Sequence, residues 1–358
     1  MPARVLIAGA GVAALEAALA LRALAGERVD VELLGAEHHF WYRPLSVTEP
    51  FGLGEAKRYP LPALAVAAGA HFTPGRLLGV DATHHEAMTS VGELGYDFLL
   101  VAVGALPSPA VAGAVTFRGP ADREKLESLL DDIAAGRARR IAFAVPEGAV
   151  WPLPLYELAL LTAAYAAQNR IEEVEVTLAT PEAVPLQAFG GAASIEVQQL
   201  LEERGVSLLC GTNPVSFQDG VLRLQPDGEI ETDRVVAAPR LHGAALDGLP
   251  QTGLGFIPID EYARVEGCDD VYAAGDIVDF PVKQGGIAAQ LADVAAASIS
   301  SLVGADVRAA PFEPEPRGML LTGDSDRSLR FEPGHVRDVG AEQRGKIAGR
   351  YLAPFLTG

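Results

Sequence analysis

The chain has 358 residues, 49% of them hydrophobic, and a formal net charge of −19. That length accommodates about two or three domains, and so large an apolar fraction excludes global disorder. The acidity excludes general electrostatic binding to nucleic acid or to an anionic membrane, leaving only a local basic site open.

Residues 4–9, RVLIAG, read as a buried parallel strand. Residues 11–26 follow as a helix that is apolar all round, as a helix sandwiched in an α/β protein would be. VDVELL, 29–34, is a second strand, so the opening is a βαβ unit. An aromatic loop, HHFWYRPLSVTEPFG, covers 38–52, and a short helix is expected within 61–70. Short β runs with turn signals then lead to DFLLVAVGALP, 97–107, and a helix over 123–136 stops at Gly136.

A second βα series starts at RIAFAVP, 140–146. It continues with a helix at 154–170, a strand at 173–180, a helix near 191–204 and a hairpin around Gly220, and closes with DRVVAAP, 233–239. The chain then returns to VYAAGD, 271–276, and a long Ala-rich helix. A proline-rich link and GKIAGRYLAPFL, 345–356, form a short closing element. The expected fold class is α/β, with two Rossmann-like dinucleotide-binding domains, the second inserted in the first. The discontinuous first domain spans 1–115 and 255–358; the second spans 116–254.

Three stretches carry chemistry. GAGVAA, 9–14, stands between a strand and a helix. Gly9 permits the tight turn, Gly11 lets a pyrophosphate reach the backbone, and Ala14 is small enough for helix-on-sheet packing. Free N–H groups of Val12, Ala13 and Ala14 at the helix start would bind the phosphates. The acid that such a site wants after its second strand is replaced by Gly35; Glu37, two residues on, is the candidate for the ribose hydroxyls. In AVGALP, 102–107, the small residues Gly104 and Ala105 bring backbone close to something bulky. Finally, Gly275 and Asp276 end a buried strand, where the carboxylate can accept from a polyol hydroxyl. Lys283, Gln284 and Gly285 precede the long helix, where an ammonium and free N–H groups would face developing negative charge.

The order GAGVAA, AVGALP, VYAAGD and PVKQGG resembles that of the two-dinucleotide-domain flavoproteins, the FAD-dependent pyridine nucleotide-disulfide oxidoreductase superfamily. Within it, the branch of sulfide:quinone oxidoreductases and type II NADH dehydrogenases is the most similar. ELLGAEHHFWYRPL (32–45), DRVVAAPRLHG (233–243) and KIAGRYLAPFL (346–356) add to the likeness. The resemblance implies an FAD cofactor extended across the first domain, with its pyrophosphate at Gly9–Ala14. It implies Asp276 at the ribityl or pyrophosphate region, Lys283–Gly285 at the ring edge, and Arg43 and Pro44 on the loop that approaches the ring.

Two features of the sequence depart from the pattern. The family's redox cysteine near 147–157 is absent; Trp151 stands there, and neither Cys210 nor Cys268 matches. The second glycine fingerprint is reduced to AVPEGAVWP, with one glycine, Gly148, the rigid Pro146 and Pro152, and a Glu147 that would repel a pyrophosphate. No dimerisation domain is expected after the flavin block. Trp151 either stacks near the ring or an acceptor, as a candidate catalytic residue beside Lys283, or packs in the core on the 154–170 helix; Trp41 and Tyr42 pose the same choice. The pairs His38-His39 and His84-His85 point to opposite sides of an extended chain, so no metal is expected.

The function expected is an FAD-dependent oxidoreductase that passes electrons to a quinone-like or protein acceptor without an active-site disulfide. The alternatives are a non-catalytic FAD-binding sensor, carrier or partner, and an NAD(P)H:acceptor reductase with a remodelled nucleotide site. Two cysteines without a CxxC pair suit a reducing compartment, and MPARVLIAGAG lacks the regions of a signal peptide. The location expected is therefore cytoplasmic. The longest apolar window, 158–167, is about half of a bilayer span, so no integral span is expected; peripheral membrane contact stays open.

Overall fold

The computed structural model describes residues 1–323, 327–330, 337–338 and 349–356. Residues 345–348 of the expected closing element lie outside them. Two five-stranded, wholly parallel sheets organise the chain. In the first, the strands Val271–Ala273, Phe98–Val101, Ala3–Ala8, Val29–Gly35 and His71–Pro74 lie in that order. The second runs Val115–Thr116, Arg234–Ala237, Arg140–Ala144, Glu175–Ala179 and Val206–Leu209. Strands that are buried on both faces read as unbroken apolar runs, and Val5–Ala8 and Ile141–Ala144 are such runs.

The helices are α1 (Val12–Leu24), α2 (Leu61–Ala67), α3 (Arg123–Ala134), α4 (Leu153–Gln168), α5 (Gly191–Glu203), α6 (Gly285–Leu302) and the single turn α7 (Ala353–Leu356). Parallel neighbours need crossovers: α1 joins the first two strands of one sheet, while α4 and α5 join consecutive strands of the other. α1 packs along α6. Ala13, Ala14, Ala17, Ala18 and Ala20 on one helix and Ala288, Ala292, Ala295 and Ala296 on the other are buried in one core. Their short side chains let the two backbones come close.

The stretch expected to run as one strand into AVGALP is divided. The parallel strand stops at Val101, Gly104 turns with φ +76°, and Ala105–Ser108 pairs antiparallel with Arg240–Gly243. The chain thereby crosses from one lobe to the other on a two-stranded ribbon, and the positive φ supplies the change of direction.

α3 is anchored by a buried acid. Asp122, fully buried, accepts from the Arg118 backbone N–H (2.9 Å), from Arg118 Nε (3.0 Å) and Nη2 (2.7 Å), and from Lys125 Nζ (2.9 Å). Burial would push its pKa up, but the combined hydrogen bonds from Arg118 and Lys125 outweigh that and hold it at about 2. Replacing Asp122 with Asn should cost about 2–3 kcal/mol at neutral pH, read by denaturant unfolding. A depressed carboxyl stabilises above its unfolded pKa of about 4 and ceases to do so as pH falls through about 2. The gap between wild type and variant should therefore close over that acidic window.

Candidate functional site

The strands Ala3–Ala8, Phe98–Val101 and Val271–Ala273 are adjacent and parallel, so their carboxyl ends share one edge. In open α/β sheets ligands bind in the crevice beyond that edge. The GAGVAA turn forms one wall. Gly9 has φ +136°, and a Cβ there would overlap the carbonyl oxygen of Ala102. This glycine is demanded by backbone packing against the neighbouring strand. Gly11 differs: its φ is −89°, and nothing lies within 4 Å of the position where its Cβ would be. Gly11 is the N-cap of α1 and makes no side-chain cap; the first intrahelical bond runs from Leu15 N–H to its carbonyl. The N–H groups of Val12, Ala13 and Ala14 therefore point out of the helix start into open space.

The turn after Val271–Ala273 forms the opposite wall. Gly275, at φ +82°, lies against α1, where an added Cβ would come 3.1 Å from that of Ala13. Asp276 follows, half-buried. Burial raises its pKa, against the opposing charges of Lys283 and Arg43. The structure thus brings Asp276, Lys283 and Arg43 into one electrostatic cluster, although Arg43, within the 38–52 loop, is exposed and Pro44 beside it is half-buried.

Lys283 is 6% exposed. Its ammonium donates to the Val278 carbonyl and lies 3.9 Å from the centroid of the Phe256 ring. Burial lowers its pKa to about 8, opposed by the charges of Asp276 and Asp279. Gln284 is the N-cap of α6: its Oε1 accepts from Ile287 N–H at 3.0 Å, and its Nε2 donates to the Arg317 carbonyl. Its side chain is thus spent internally. Gly285 and Gly286, the first residues of α6, leave their N–H groups at a second helix start beside Asp276. Phe256 escaped sequence reasoning, because no local motif ties it to a lysine so far along the chain.

The remaining candidates are spread out. Gly104 has open space around its Cβ position, and Ala105 begins the interlobe ribbon. Glu37 is largely exposed, 4.0 Å from Arg76. A side chain at Gly35 would bring a Cβ within 2.9 Å of both Ala10 and the Phe72 ring, which explains why no acid sits there. Trp151 is half-buried and packs against the core of the second lobe, edge-on to Phe189 at 5.6 Å between centroids. Trp41 carries the Arg58 guanidinium on its face at 3.8 Å, and Tyr42 is buried in the first lobe's core.

The corresponding turn of the second sheet is short of donors. Pro146, Pro152 and Pro154 have no N–H. The N–H of Glu147 donates to Asn213 Oδ1 (2.8 Å), that of Ala149 to the Pro146 carbonyl (3.1 Å) and that of Leu155 to the Pro152 carbonyl (2.9 Å). After the next strand, Glu182 turns inward and accepts from Tyr156 Oη (2.8 Å), Thr180 Oγ1 (3.1 Å) and Gln187 N–H (3.2 Å). Both cysteines are free and half-buried, and burial pushes both thiols up. Among the described residues no cluster fit for a metal ion occurs, and no helix is long and apolar enough to cross a membrane.

The profile of the pyridine nucleotide-disulphide oxidoreductases matches residues 157–298. The mitochondrial external alternative NAD(P)H-ubiquinone oxidoreductase B4 of Arabidopsis thaliana is 23% identical over 297 residues, 69% of this chain and 50% of that protein. The chain thus spans about half the length of that curated relative. Among solved structures, the sulfide:quinone oxidoreductase of the hyperthermophilic bacterium Aquifex aeolicus superposes with a TM-score of 0.85 at 16% identity, covering 94% of this chain and 86% of that one. NDH2 of Plasmodium falciparum in complex with NADH superposes with a TM-score of 0.75 at 12% identity, covering 99% and 93%. The resemblance to this superfamily read from the sequence holds, and the fold is that of its two-lobed members.

The buried lysine can be read directly. After reductive methylation with carbon-13 formaldehyde, one dimethyl-lysine resonance should titrate near pH 8, well below the other lysines, and be missing from the Lys283→Arg protein. A spectrum in which every lysine titrates above about 10 would contradict the burial argument.

Proposed function

We propose that the chain is an FAD-dependent oxidoreductase that passes electrons to a quinone-like or protein acceptor, with no protein disulfide taking part. The observation that carries this reading is the open space over Gly11 at the start of α1, with the α6 start and Asp276 facing it along the same sheet edge. The residues fit the group. N–H groups of Val12–Ala14 suit a pyrophosphate, the Asp276 carboxylate suits ribityl hydroxyls, and Gly285, Gly286 and Lys283 suit the electron-rich edge of the ring. Glu37 is the acid left for the adenosine ribose, since Gly35 has no room for one.

When bound, FAD supplies two-electron redox chemistry. This chain's part is to bind, orient and set charge. Lys283 and the positive end of α6 favour electron uptake at the ring edge. Arg43 and Pro44 carry the loop toward that edge, and Trp151 remains a candidate to line an acceptor pocket. The raised thiols of Cys210 and Cys268 are poor nucleophiles at neutral pH, which supports a route that bypasses protein thiols. A dinucleotide fits poorly at the second sheet, where prolines and internal hydrogen bonds take up part of the phosphate donors and Glu182 faces inward. NAD(P)H use has in its favour the match to the pyridine nucleotide-disulphide oxidoreductases over 157–298 and the likeness to an NAD(P)H-ubiquinone oxidoreductase and to NADH-bound NDH2. The cytoplasm remains the proposed location.

Purified protein should be yellow and release FAD on denaturation. Gly11→Leu should fold with a melting temperature close to that of the flavin-free wild type, since that backbone is unstrained and open, yet lose the colour; a yellow variant would refute the pyrophosphate placement. Lys283→Ala should lower the flavin midpoint by about 30 mV, about 1.4 kcal/mol for a two-electron couple. An unchanged midpoint removes the role given to that lysine. Anaerobic mixing with NADH, NADPH, sulfide and a quinol should bleach the flavin with at least one of them, reversibly on addition of an acceptor. Silence throughout would favour a flavin-binding protein without turnover.

A further inference from the structure

Ala13–Leu21 of α1 are all buried, and one of them, Glu16, is a glutamate with no exposure. Its carboxylate grips the end of the chain. Oε1 accepts from Tyr351 N–H and Oε2 from Leu352 N–H, each at 2.7 Å. Gly349 passes so close that a Cβ there would overlap Oε2. From α6, Asp293 makes a side-chain hydrogen bond to Glu16, and its Oδ1 is buried with no partner among the described residues when both groups are taken as acceptors.

Two carboxyl groups in contact, Glu16 fully buried and Asp293 half-buried, cannot both ionise cheaply. Glu16, which receives two backbone N–H groups, is the natural anion. Asp293 has no donor for its buried oxygen, so it is the natural holder of a proton, which it would donate to Glu16. Among the described residues, the other titratable groups facing the pair are Arg350 and Tyr351, both from the docked segment. Burial raises Asp293, the neighbouring charge and hydrogen bond of Glu16 add to this, and Arg350 opposes it, leaving the group at about 7. Glu16 is also raised, by burial, against the hydrogen bonds it receives.

We propose that Glu16 and Asp293 form a one-proton latch that docks residues 349–356 onto α1 and α6, and that loss of this proton to solvent releases the segment. Release exposes Leu352 and Leu356, both buried when docked. It also frees the Tyr59 hydroxyl, which donates to the Leu356 carbonyl at 3.2 Å. Tyr59 lies on the strand Arg58–Pro60, paired with His39–Trp41 immediately before Arg43. The state of the latch therefore reaches the loop that faces Asp276. The sign follows from the raised pKa: proton-dependent docking is full below about pH 4, the unfolded carboxyl value, and is lost as pH rises through about 7.

Amide hydrogen exchange of the whole protein, corrected for intrinsic rates, tests this. Between about pH 5.5 and about pH 8, opening of 349–356 should increase about 30-fold, tenfold per unit up to about 7. The strand Phe98–Val101 should keep its protection. In Asp293→Asn, the amide donates to Glu16 at every pH, so the tail should stay protected at both. A wild-type tail without pH dependence, or the same dependence in the Asn variant, overturns the latch. Should the variant fail to fold, infrared spectroscopy of the wild type reads the proton itself. A protonated-carboxyl band present at about pH 5.5 and gone by about pH 8 supports the latch, and its absence at the lower pH overturns it.

Discussion

The close packing of α1 on α6 is the constraint from which the rest of the molecule follows. Both helices present alanines to each other, and Gly275 fits against Ala13 because neither has a side chain beyond Cβ. Two helix starts are thereby brought to one sheet edge. Each carries a partial positive charge, and together they define an elongated region suited to negative charge at both ends. A single larger residue at Ala13 or Gly275 would push the helices apart and uncouple those two ends. The alanine content of this chain is thus a geometric requirement as well as a source of helix propensity.

The second lobe repeats the strand and helix plan without repeating the anion site. In the first lobe the turn before α1 has glycines and free N–H groups; in the second the turn before α4 has prolines, and the N–H groups of Glu147, Ala149 and Leu155 are donated inward to Asn213 Oδ1 and the carbonyls of Pro146 and Pro152. Proline at the first positions of a helix costs that helix nothing, because those N–H groups have no intrahelical acceptor. It does cost any ligand that would have used them. Prolines at a helix start thus leave the fold intact while lowering the number of N–H groups that the turn can offer an anion.

The βαβ unit at 4–34 and the Asp276 turn were legible because their signals are local: an apolar run, a small-residue turn, then an amphipathic or apolar helix. The placing of side chains was much less so. Lys283 follows a recognisable turn, yet its ammonium is held inward by Val278 and Phe256. Gln284 sits at the expected helix start, but its side chain is committed to Ile287 and Arg317. Gly9 looked like one member of a phosphate fingerprint, and the structure adds that Ala102 demands it for packing. Glu182 follows its strand as a ribose-binding acid would and is consumed by Tyr156 and Thr180. One partner in each case, Phe256, Arg317, Ala102 or Tyr156, is remote in sequence, and periodicity and spacing carry no trace of it.

The last third of the chain shows how the two lobes are held together. After α6, the Arg317 carbonyl is taken by Gln284 at the start of that helix. Gly318 then lies against Phe189 and Leu153 of the second lobe, and Leu321 N–H donates to the buried Glu157 of α4 at 2.9 Å. The segment 349–352 returns to the first lobe and ends on Glu16. Two buried glutamates, one on a helix of each lobe, therefore collect backbone N–H groups from the same terminal stretch. A buried carboxylate is costly unless it is fully hydrogen-bonded, and these backbone donors offset that cost only while the stretch is docked. Undocking would exchange the backbone donors of Glu16 for water, which ties the docking of the chain's end to the ionisation of the carboxyl pair beneath it.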